Sequence, residues 1–223
     1  LELALARLRS LAPALRTWGL SATIGNIETA SRVLVGTSRP DPVIIRDATP
    51  KTIQLETLLP ESIERYPWAG HLGTRLLRPV VEQIHAANST LIFTNTRAQT
   101  ETWYREIIRA DHGLIGKVAL HHGSLEQALR SRVEEMLAGG VLKAVVCTSS
   151  LDLGVDFAPV DQVIQIGSPK GVARMIQRAG RSGHQPGAIS RILCVPTNAF
   201  ELVEFAAVRD LIASGQIESR YPL

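Results

Sequence analysis

The fold and the kind of ligand are predicted first from one segment, Pro169-Lys-Gly-Val-Ala-Arg-Met-Ile-Gln-Arg-Ala-Gly-Arg-Ser-Gly-His184. In a helix from Val172 to Arg181, each residue turns by roughly 100°, so the polar residues share one face. That face holds Arg174, Gln177, Arg178 and Arg181. The opposite face holds Val172, Met175, Ile176 and Ala179. Because the arginine fork matches phosphate oxygens, the pattern favours a helix that packs on a sheet and holds three guanidinium groups toward a phosphate-rich ligand. If the helix is considered alone, the alternative to phosphate binding is a basic face that is exposed to solvent and binds no ligand.

Apolar strands alternate with amphipathic helices from Lys51 onward, which is typical of a parallel sheet with helices on both faces. The predicted strands are residues 52–58, 90–94, 117–121, 143–148, 161–166 and 191–195. The predicted helices are residues 72–87, 97–109, 125–138, 172–179 and 201–214. Before Lys51, the pattern predicts a helix over residues 1–9, a short strand over residues 18–24 and a helix from Asn26 to about Val35.

Small polar or basic residues follow four of the predicted strands. The clusters are Thr94-Asn-Thr-Arg97, His121-His-Gly-Ser124, Thr148-Ser-Ser150 and Gly167-Ser-Pro-Lys170. Since ligands of open α/β sheets bind at the carboxyl ends of the strands, this edge is predicted to grip a long polar ligand. Thr96 with Gln99 also fits the capping box, in which a hydroxyl and an amide satisfy free backbone amides at a helix start, and Ser124 with Gln127 has the same spacing. Both interpretations stay open, because a capped helix start also offers amides to a phosphate.

Two carboxylates and two thiols complete the candidate polar residues. Asp152 is interpreted as a local turn cap. Asp156 follows Gly154 in a loop near the arginine helix, where its carboxylate could accept hydrogen bonds from ribose hydroxyls or orient an arginine. Cys147 and Cys194 lie in apolar runs with no Cys-x-x-Cys spacing. They are predicted to be buried free thiols, and neither a disulfide nor a metal site is expected.

Composition sets broad limits on the kind of protein. The chain has 223 residues, of which 45% are apolar, and a formal net charge of +3. This apolar content is sufficient for substantial cores, and the mild positive charge is compatible with a polyanionic partner. No apolar run has the length of a membrane span, and no signal-peptide pattern opens the chain. A soluble intracellular protein is therefore expected.

Taken in order, four segments resemble the later motifs of superfamily 2 helicases. Leu20-Ser-Ala-Thr-Ile-Gly-Asn26 is similar to motif III, Leu91-Ile-Phe-Thr-Asn-Thr-Arg97 to motif IV, residues 148–156 to motif V and residues 177–183 to motif VI. The detailed residue pattern of the motifs resembles that of the Lhr family and, within it, that of the bacterial ligase-associated DExH-box helicases. This residue pattern includes Tyr66-Pro-Trp-Ala-Gly-His-Leu-Gly73, His121-His-Gly-Ser-Leu125 and Gly167-Ser-Pro-Lys-Gly-Val-Ala-Arg174.

The resemblance implies the fold class and a division of the chain. The fold is α/β, a RecA-like parallel sheet flanked by helices as in the second helicase lobe, preceded by the C-terminal remnant of the first RecA-like lobe. Residues 1–48 would be that remnant with motif III, residues 49–215 the second lobe with motifs IV to VI, and residues 216–223 the start of a linker to a winged-helix domain. The Walker loop and acidic box of the first lobe do not occur in the sequence. The chain alone is therefore not expected to hydrolyse ATP.

The resemblance also implies which residues face the nucleotide. Arg181 would be the arginine finger that reaches the γ-phosphate of ATP, with Gln177 and Arg178 in support. Gly154 and Asp156 would line the nucleotide side together with Arg178 and Arg181. ATP and Mg²⁺ would be held mainly by the first lobe.

On the other side, the resemblance implies contacts to a single strand. Ser21 and Thr23 would couple hydrolysis to lobe movement. The strand backbone would be held by Thr94, Asn95, Thr96, Arg97, His122, Gly123, Ser124, Thr148, Ser149 and Ser150. His184 stands where DEAD-box proteins have another arginine, which leaves open whether a second finger exists.

The implied function is part of an ATP-dependent 3′-to-5′ DNA helicase or translocase in DNA repair. Its partners would be single-stranded DNA or DNA with a 3′ tail, its own first lobe and winged-helix domain, and functionally a DNA ligase; no membrane is implied. The place would be the bacterial cytoplasm, associated with the nucleoid. An RNA helicase lobe stays open, because the motif residues hold phosphates and do not read the 2′-hydroxyl. A binding module without catalysis stays open as well.

Overall fold

A single parallel sheet organises the computed structural model, which describes residues 2–21, 23–36, 42–46, 52–59, 73–152, 160–183 and 189–218. Within these residues the sheet has six strands in the order β1-β6-β5-β2-β4-β3, and every pairing between neighbours is parallel. The strands are β1 Ile53–Thr57, β2 Thr90–Phe93, β3 Val118–His121, β4 Ala144–Cys147, β5 Gln162–Ile166 and β6 Ser190–Val195. All six agree with the predicted strands to within about one residue at each end, a margin that assignment methods themselves leave open.

Seven helices are described. They are α1 Glu2–Leu11, α2 Ile27–Val35, α3 Leu77–Ala86, α4 Arg97–Ala110, α5 Gln127–Ala138, α6 Val172–Ala179 and α7 Ala199–Ala213. Helices α3 to α7 connect or follow the strands, and α1 and α2 precede β1. Helix α6 has the predicted bounds. Helix α3 begins five residues later than predicted, after a 3-10 turn at Thr74–Leu76. Among the described helices, none combines the length and the apolar character that crossing a membrane requires.

Both faces of the sheet are buried by helices, as the near-continuous apolar strands predict. On one face, α5, α6 and α7 pack through residues that include Leu137, Met175 and Phe205. On the other face, α3 and α4 pack through residues that include Ile84 and Trp103. Among the described residues, the central strands β2 and β4 are thus completely buried between two helical layers.

The first part of the chain differs from the prediction in one element. The predicted strand over residues 18–24 is wrong, since residues 18–21 and 23–24 have no strand assignment and pair with no strand of the described sheet. The segment instead contacts α6 through a hydrogen bond from Gln177 Nε2 to Thr23 Oγ1, 2.6 Å long. The division into residues 1–48, 49–215 and 216–223 stays a prediction.

Candidate nucleotide and nucleic-acid interface

The arginine helix α6 is the central element of the candidate site. Its apolar side is buried as predicted, with Val172, Met175 and Ala179 in the core. Gly171 precedes the helix with φ of 138°, a conformation that favours glycine, and Gly180 follows it. Gly171 therefore suits the start of the helix, and burial of the apolar side orients the remaining residues of α6.

Arg178 does not lie on an exposed face, and the expectation of three outward-facing guanidinium groups is wrong for this residue. Its side chain is only 1% exposed. Nε and Nη2 donate to the carboxylate of Asp152 at 2.8 and 3.3 Å, and Nη1 donates to Gln165 Oε1 at 2.7 Å. The guanidinium also lies over the ring of Phe93, 4.6 Å from its centroid. Arg178 therefore acts inside the lobe, as a buried cation that is neutralised and hydrogen-bonded.

Asp152 is the buried anion at the centre of this cluster. The interpretation of its side chain as a local turn cap is wrong, because both carboxylate oxygens bind Arg178. Arg174, half exposed on α6, approaches the same carboxylate at 3.7 Å. The backbone carbonyl of Asp152 accepts a hydrogen bond from Arg181 Nη2 at 2.6 Å. One residue thus neutralises Arg178 and at the same time anchors the guanidinium of Arg181.

Gln165 is a buried partner of Arg178 that the sequence pattern did not single out. It is completely buried in β5, and its amide donates to the carbonyls of Ile166 and Gly167 at 3.1 and 2.7 Å. These two bonds orient its Oε1 toward Arg178. The available signal was a polar residue inside the apolar strand Val163-Ile-Gln-Ile166, because a buried amide requires partners.

Gln177 and Arg181, the other two predicted members of the arginine face, are partly exposed. Gln177 joins α6 to Thr23, and the backbone N–H of Thr23 donates to Ser21 Oγ at 3.2 Å. The structure therefore brings the predicted coupling residues into contact with the arginine helix. Their role in coupling is a prediction that this contact does not test.

At the end of β2, the four predicted strand-binding residues divide into one buried and three exposed. Thr94 is completely buried, and its hydroxyl bonds with that of Thr100 at 2.6 Å, so it does not reach the surface. Asn95, Thr96 and Arg97 are exposed. Thr96 caps α4 by accepting from the Gln99 N–H at 3.2 Å, as predicted. Asn95 Nδ2 donates to the carbonyl of Ser168, and Arg97 Nε lies 3.3 Å from a carboxylate oxygen of Glu101.

At the end of β3, Gly123 and Ser124 are exposed, whereas His122 is 5% exposed. His122 Nε2 lies 3.7 Å from Glu101, and its Nδ1 has no hydrogen-bond partner among the described residues. The predicted capping box of Ser124 and Gln127 is wrong. Helix α5 begins at Gln127 after Glu126, and no side chain caps it.

At the end of β4, a 3-10 turn at Ser149–Leu151 presents the predicted hydroxyls. Ser149 is exposed, while Thr148 and Ser150 are partly exposed. Ser150 Oγ is 2.8 Å from His121 Nδ1, and His121 Nε2 is 2.9 Å from Glu134 Oε1 on α5. Burial lowers the pKa of His121, and the bond with Glu134 opposes that shift.

The two thiols are buried and free, as predicted. Burial raises the pKa of both Cys147 and Cys194, so neither carries a thiolate near neutral pH. Among the described residues, no group of three or more His, Cys, Asp or Glu side chains could hold a metal ion. Gly154, Asp156 and His184 lie outside the described residues.

Glu218 contacts the amino end of α6 and was also missed by the sequence analysis. Its carboxylate accepts from the backbone N–H groups of Val172 and Ala173, the latter at 2.9 Å. A carboxylate at this position is stabilised by free backbone amides and by the helix dipole. The segment after α7 is thereby joined to the arginine helix.

A parallel sheet with this order, with an arginine helix after β5 and polar residues at the strand ends, defines the second RecA-like lobe of a superfamily 2 helicase. Comparison with known proteins agrees: residues 74–185 match the family described as "Helicase conserved C-terminal domain". The chain belongs to this family.

Two relatives and one solved structure extend the comparison, and all three carry the Lhr name that the motifs resemble. The chain is 37% identical to the ATP-dependent helicase Lhr-Core of Methanocaldococcus jannaschii, over 92% of this chain and 24% of the relative. It is 33% identical to the "Lhr helicase/ probable uracil glycosylase" of Mycolicibacterium smegmatis, over 98% of this chain and 16% of the relative. The structure of Mycobacterium smegmatis helicase Lhr bound to ssDNA and AMP-PNP matches with a TM-score of 0.86 at 34% identity.

The match to this solved structure covers 99% of this chain and 29% of the other. The chain therefore spans about a quarter of the length of the first curated relatives that it matches, which are Lhr-Core helicases. The resemblance to the Lhr family is confirmed, while the narrower likeness to ligase-associated helicases stays a prediction.

Proposed function

We propose that this lobe works in an ATP-dependent helicase or translocase, in which it supplies a phosphate-binding arginine and one side of a groove for single-stranded DNA. The observation that carries the proposal is the position of Arg181. Its guanidinium is anchored on the carbonyl of Asp152, whose carboxylate is neutralised by the buried Arg178. The arginine is thus held by a rigid buried cluster, which preorganises its charge for a negatively charged ligand.

The residues present fit a nucleoside triphosphate. Arg174, exposed on α6, and Arg181, partly exposed just after the helix, offer guanidinium groups whose planar donors match phosphate oxygens. Bound ATP would supply the free energy for movement, and an arginine at its terminal phosphate would neutralise charge that develops on hydrolysis. Mg²⁺, which the described residues cannot hold by themselves, would come with the nucleotide and the other lobe.

The strand-binding side consists of the exposed residues at the ends of β2, β3 and β4. Asn95, Thr96, Arg97, Gly123, Ser124 and Ser149 are exposed there, and Thr148 and Ser150 are partly exposed. Hydroxyl, amide and guanidinium donors at the carboxyl ends of neighbouring strands suit successive phosphates of an extended strand. We leave Thr94 out of this set because its hydroxyl is buried.

The relatives support the finer parts of the proposal. The Mycobacterium smegmatis structure contains ssDNA and AMP-PNP, which supports ATP and single-stranded DNA as ligands. The name of the related protein joins a helicase with a probable uracil glycosylase, which supports a setting in DNA repair. The 3′-to-5′ direction, the winged-helix domain, the link with a ligase and the place at the bacterial nucleoid are proposed from the motif resemblance alone.

The experiment that tests this function is strand-stimulated ATP hydrolysis by the full-length protein with Arg181→Ala. An arginine at the terminal phosphate contributes about 10³-fold or more to the rate, so hydrolysis should fall by that factor while ATP and DNA still bind. Arg209→Ala, which removes an exposed arginine on α7, is the matched control and should leave the rate unchanged. Near-normal hydrolysis with Arg181→Ala would show that α6 is a solvated or strand-binding face.

A further inference from the structure

A chain of three side chains lies beneath the turn at the end of β4. His121 is 1% exposed at the carboxyl end of β3. Its Nδ1 contacts Ser150 Oγ at 2.8 Å, and its Nε2 contacts Glu134 Oε1 at 2.9 Å. Ser150 Oγ also lies 3.0 Å from the carbonyl of His121 and within 3.4 Å of Thr148 Oγ1. The buried imidazole therefore connects a candidate strand-binding hydroxyl to the partly exposed carboxylate of Glu134.

The positions of the hydrogens follow from the chemistry of these groups. A carboxylate only accepts, so Nε2 must carry the hydrogen that faces Glu134, and the Nδ1 of a neutral imidazole is then an acceptor. The Ser150 hydroxyl has a single hydrogen and two acceptors within reach, Nδ1 and the carbonyl of His121. That carbonyl also accepts from the backbone N–H of Thr148 at 3.2 Å, so the hydroxyl hydrogen goes to Nδ1 while the imidazole is neutral. When the imidazole is protonated, Nδ1–H donates to Ser150 Oγ instead, and the hydroxyl hydrogen is free to go to the carbonyl of His121 at 3.0 Å or to a ligand acceptor.

We infer that His121 is a positioning residue for Ser150, and that a strand phosphate binds the Ser150 hydroxyl with uptake of one proton by the His121–Glu134 pair. This inference rests on the proposed function, since it assumes that Ser150 contacts the strand. A phosphate oxygen only accepts, so it competes with Nδ1 for the hydroxyl hydrogen. If Nδ1 stayed unprotonated after losing that hydrogen, two lone pairs would face each other across 2.8 Å. Protonation removes this repulsion.

The charges around the imidazole set the direction of the pH dependence. From α5, Glu134 favours the protonated form and Arg130 opposes it; His122, the next residue, opposes it as well. The Cys147 thiol on β4 is neutral, and burial favours the uncharged imidazole. The pKa of His121 in the free protein is therefore below its ordinary value of 6.5, and a bound phosphate raises it. Strand affinity consequently falls as the pH rises between these two pKa values, by up to about tenfold per pH unit.

The experiment is calorimetric titration of the full-length protein with an oligothymidylate strand at pH 7, in two buffers of different ionisation enthalpy. The difference in observed enthalpy gives the number of protons taken up per strand. Wild-type protein should take up a measurable fraction of a proton. Ser150→Ala should bind more weakly and lose this uptake.

The Glu134→Gln variant distinguishes a positioning role of His121 from a merely structural one. The glutamine amide can donate to Nε2, so that a neutral imidazole carries its hydrogen on Nδ1 and frees the Ser150 hydroxyl without a proton. Binding should then be retained and independent of pH. Glu135→Gln is the matched control, because it removes the same charge from an exposed neighbour on the same helix, and it should keep the wild-type uptake.

Two results would overturn the inference: no proton uptake by the wild type while Ser150→Ala weakens binding, or equal uptake by Glu134→Gln and Glu135→Gln. Both would leave the proposed function intact. Unchanged strand affinity with Ser150→Ala would instead show that Ser150 is not part of the strand contact. In that case both the inference and this part of the proposed function fail together, and Arg181→Ala still tests the remainder.

Discussion

Removal of the Asp152 carboxylate is predicted to destabilise the lobe strongly, because Arg178 would keep its charge inside the core. Arg178 is 1% exposed, and among the described residues Asp152 is its anionic partner. Gln165 and Phe93 stabilise the guanidinium but do not neutralise it. Truncation of one member of a buried pair costs about 3–5 kcal/mol. Loss of Arg174, which is half exposed and 3.7 Å from the same carboxylate, costs less than about 1 kcal/mol.

Urea unfolding of the 223-residue chain, followed by tryptophan fluorescence, which reports the exposure of the buried Trp103, measures both changes. With a slope of about 2 kcal/mol/M for a chain of this size, Asp152→Ala should lower the midpoint by about 1.5–2.5 M. Arg174→Ala, the matched control, should lower it by less than about 0.5 M. Asp152→Asn keeps an acceptor for Arg178 Nε without the charge, and its midpoint should fall between the two. Equal small shifts for Asp152→Ala and Arg174→Ala would refute the reasoning.

Three further predictions follow from single contacts. Thr96→Ala should destabilise the lobe by about 1 kcal/mol in the same urea assay, because it removes the side-chain cap of α4. The Ser124 side chain caps no described helix, so Ser124→Ala should change stability by less than about 0.5 kcal/mol. Arg97→Ala in the full-length protein should reduce the slope of log affinity for single-stranded DNA against log salt concentration by about 0.7, and an unchanged slope would mean that it contacts no phosphate. Cys147 and Cys194 should resist iodoacetamide in the native protein and react in urea, because burial raises both thiol pKa values above 9.0. Since the unfolded thiols lose their protons at a lower pH than the folded ones, the free energy of unfolding should decrease as the pH rises past 9.0.

The sheet could be predicted from the sequence because each of its strands is a short, nearly continuous apolar run between helical segments. Helix α6 was predicted to the residue, since Gly171 and Gly180 bound its apolar period on both sides. The two buried thiols followed from the same runs. These features depend on neighbours in the sequence, where periodicity and turn residues carry enough information.

The buried arginine could not be predicted in the same way. A helical period shows that Arg178 shares a face with Arg174, but it does not show which part of that face lies against the sheet. The burial of Arg178 depends on Asp152 and Gln165, which are 26 and 13 residues away in the chain. Ser124 shows a similar limit, because the spacing of a capping box is present but α5 begins at Gln127.

One row of residues across the sheet connects both sides of the candidate site. Register pairs Gln165 with Phe93, Phe93 with Cys147 and Cys147 with His121 on adjacent strands, so all four side chains point to the same face. Arg178 contacts the Gln165 and Phe93 end of this row, and Ser150 contacts the His121 end.

The turn Ser149–Leu151, together with the adjacent Asp152, is consequently held from two directions. Ser150 is bound to the buried His121, and Asp152 is bound to Arg178 while its carbonyl holds Arg181. Because tightly packed interiors transmit small displacements, a shift of this turn on strand binding would also move the anchor of Arg181. The hydroxyl that we propose for the strand and the arginine that we propose for the nucleotide are thus joined by two residues of one turn, which gives the lobe a short physical path between its two proposed ligands.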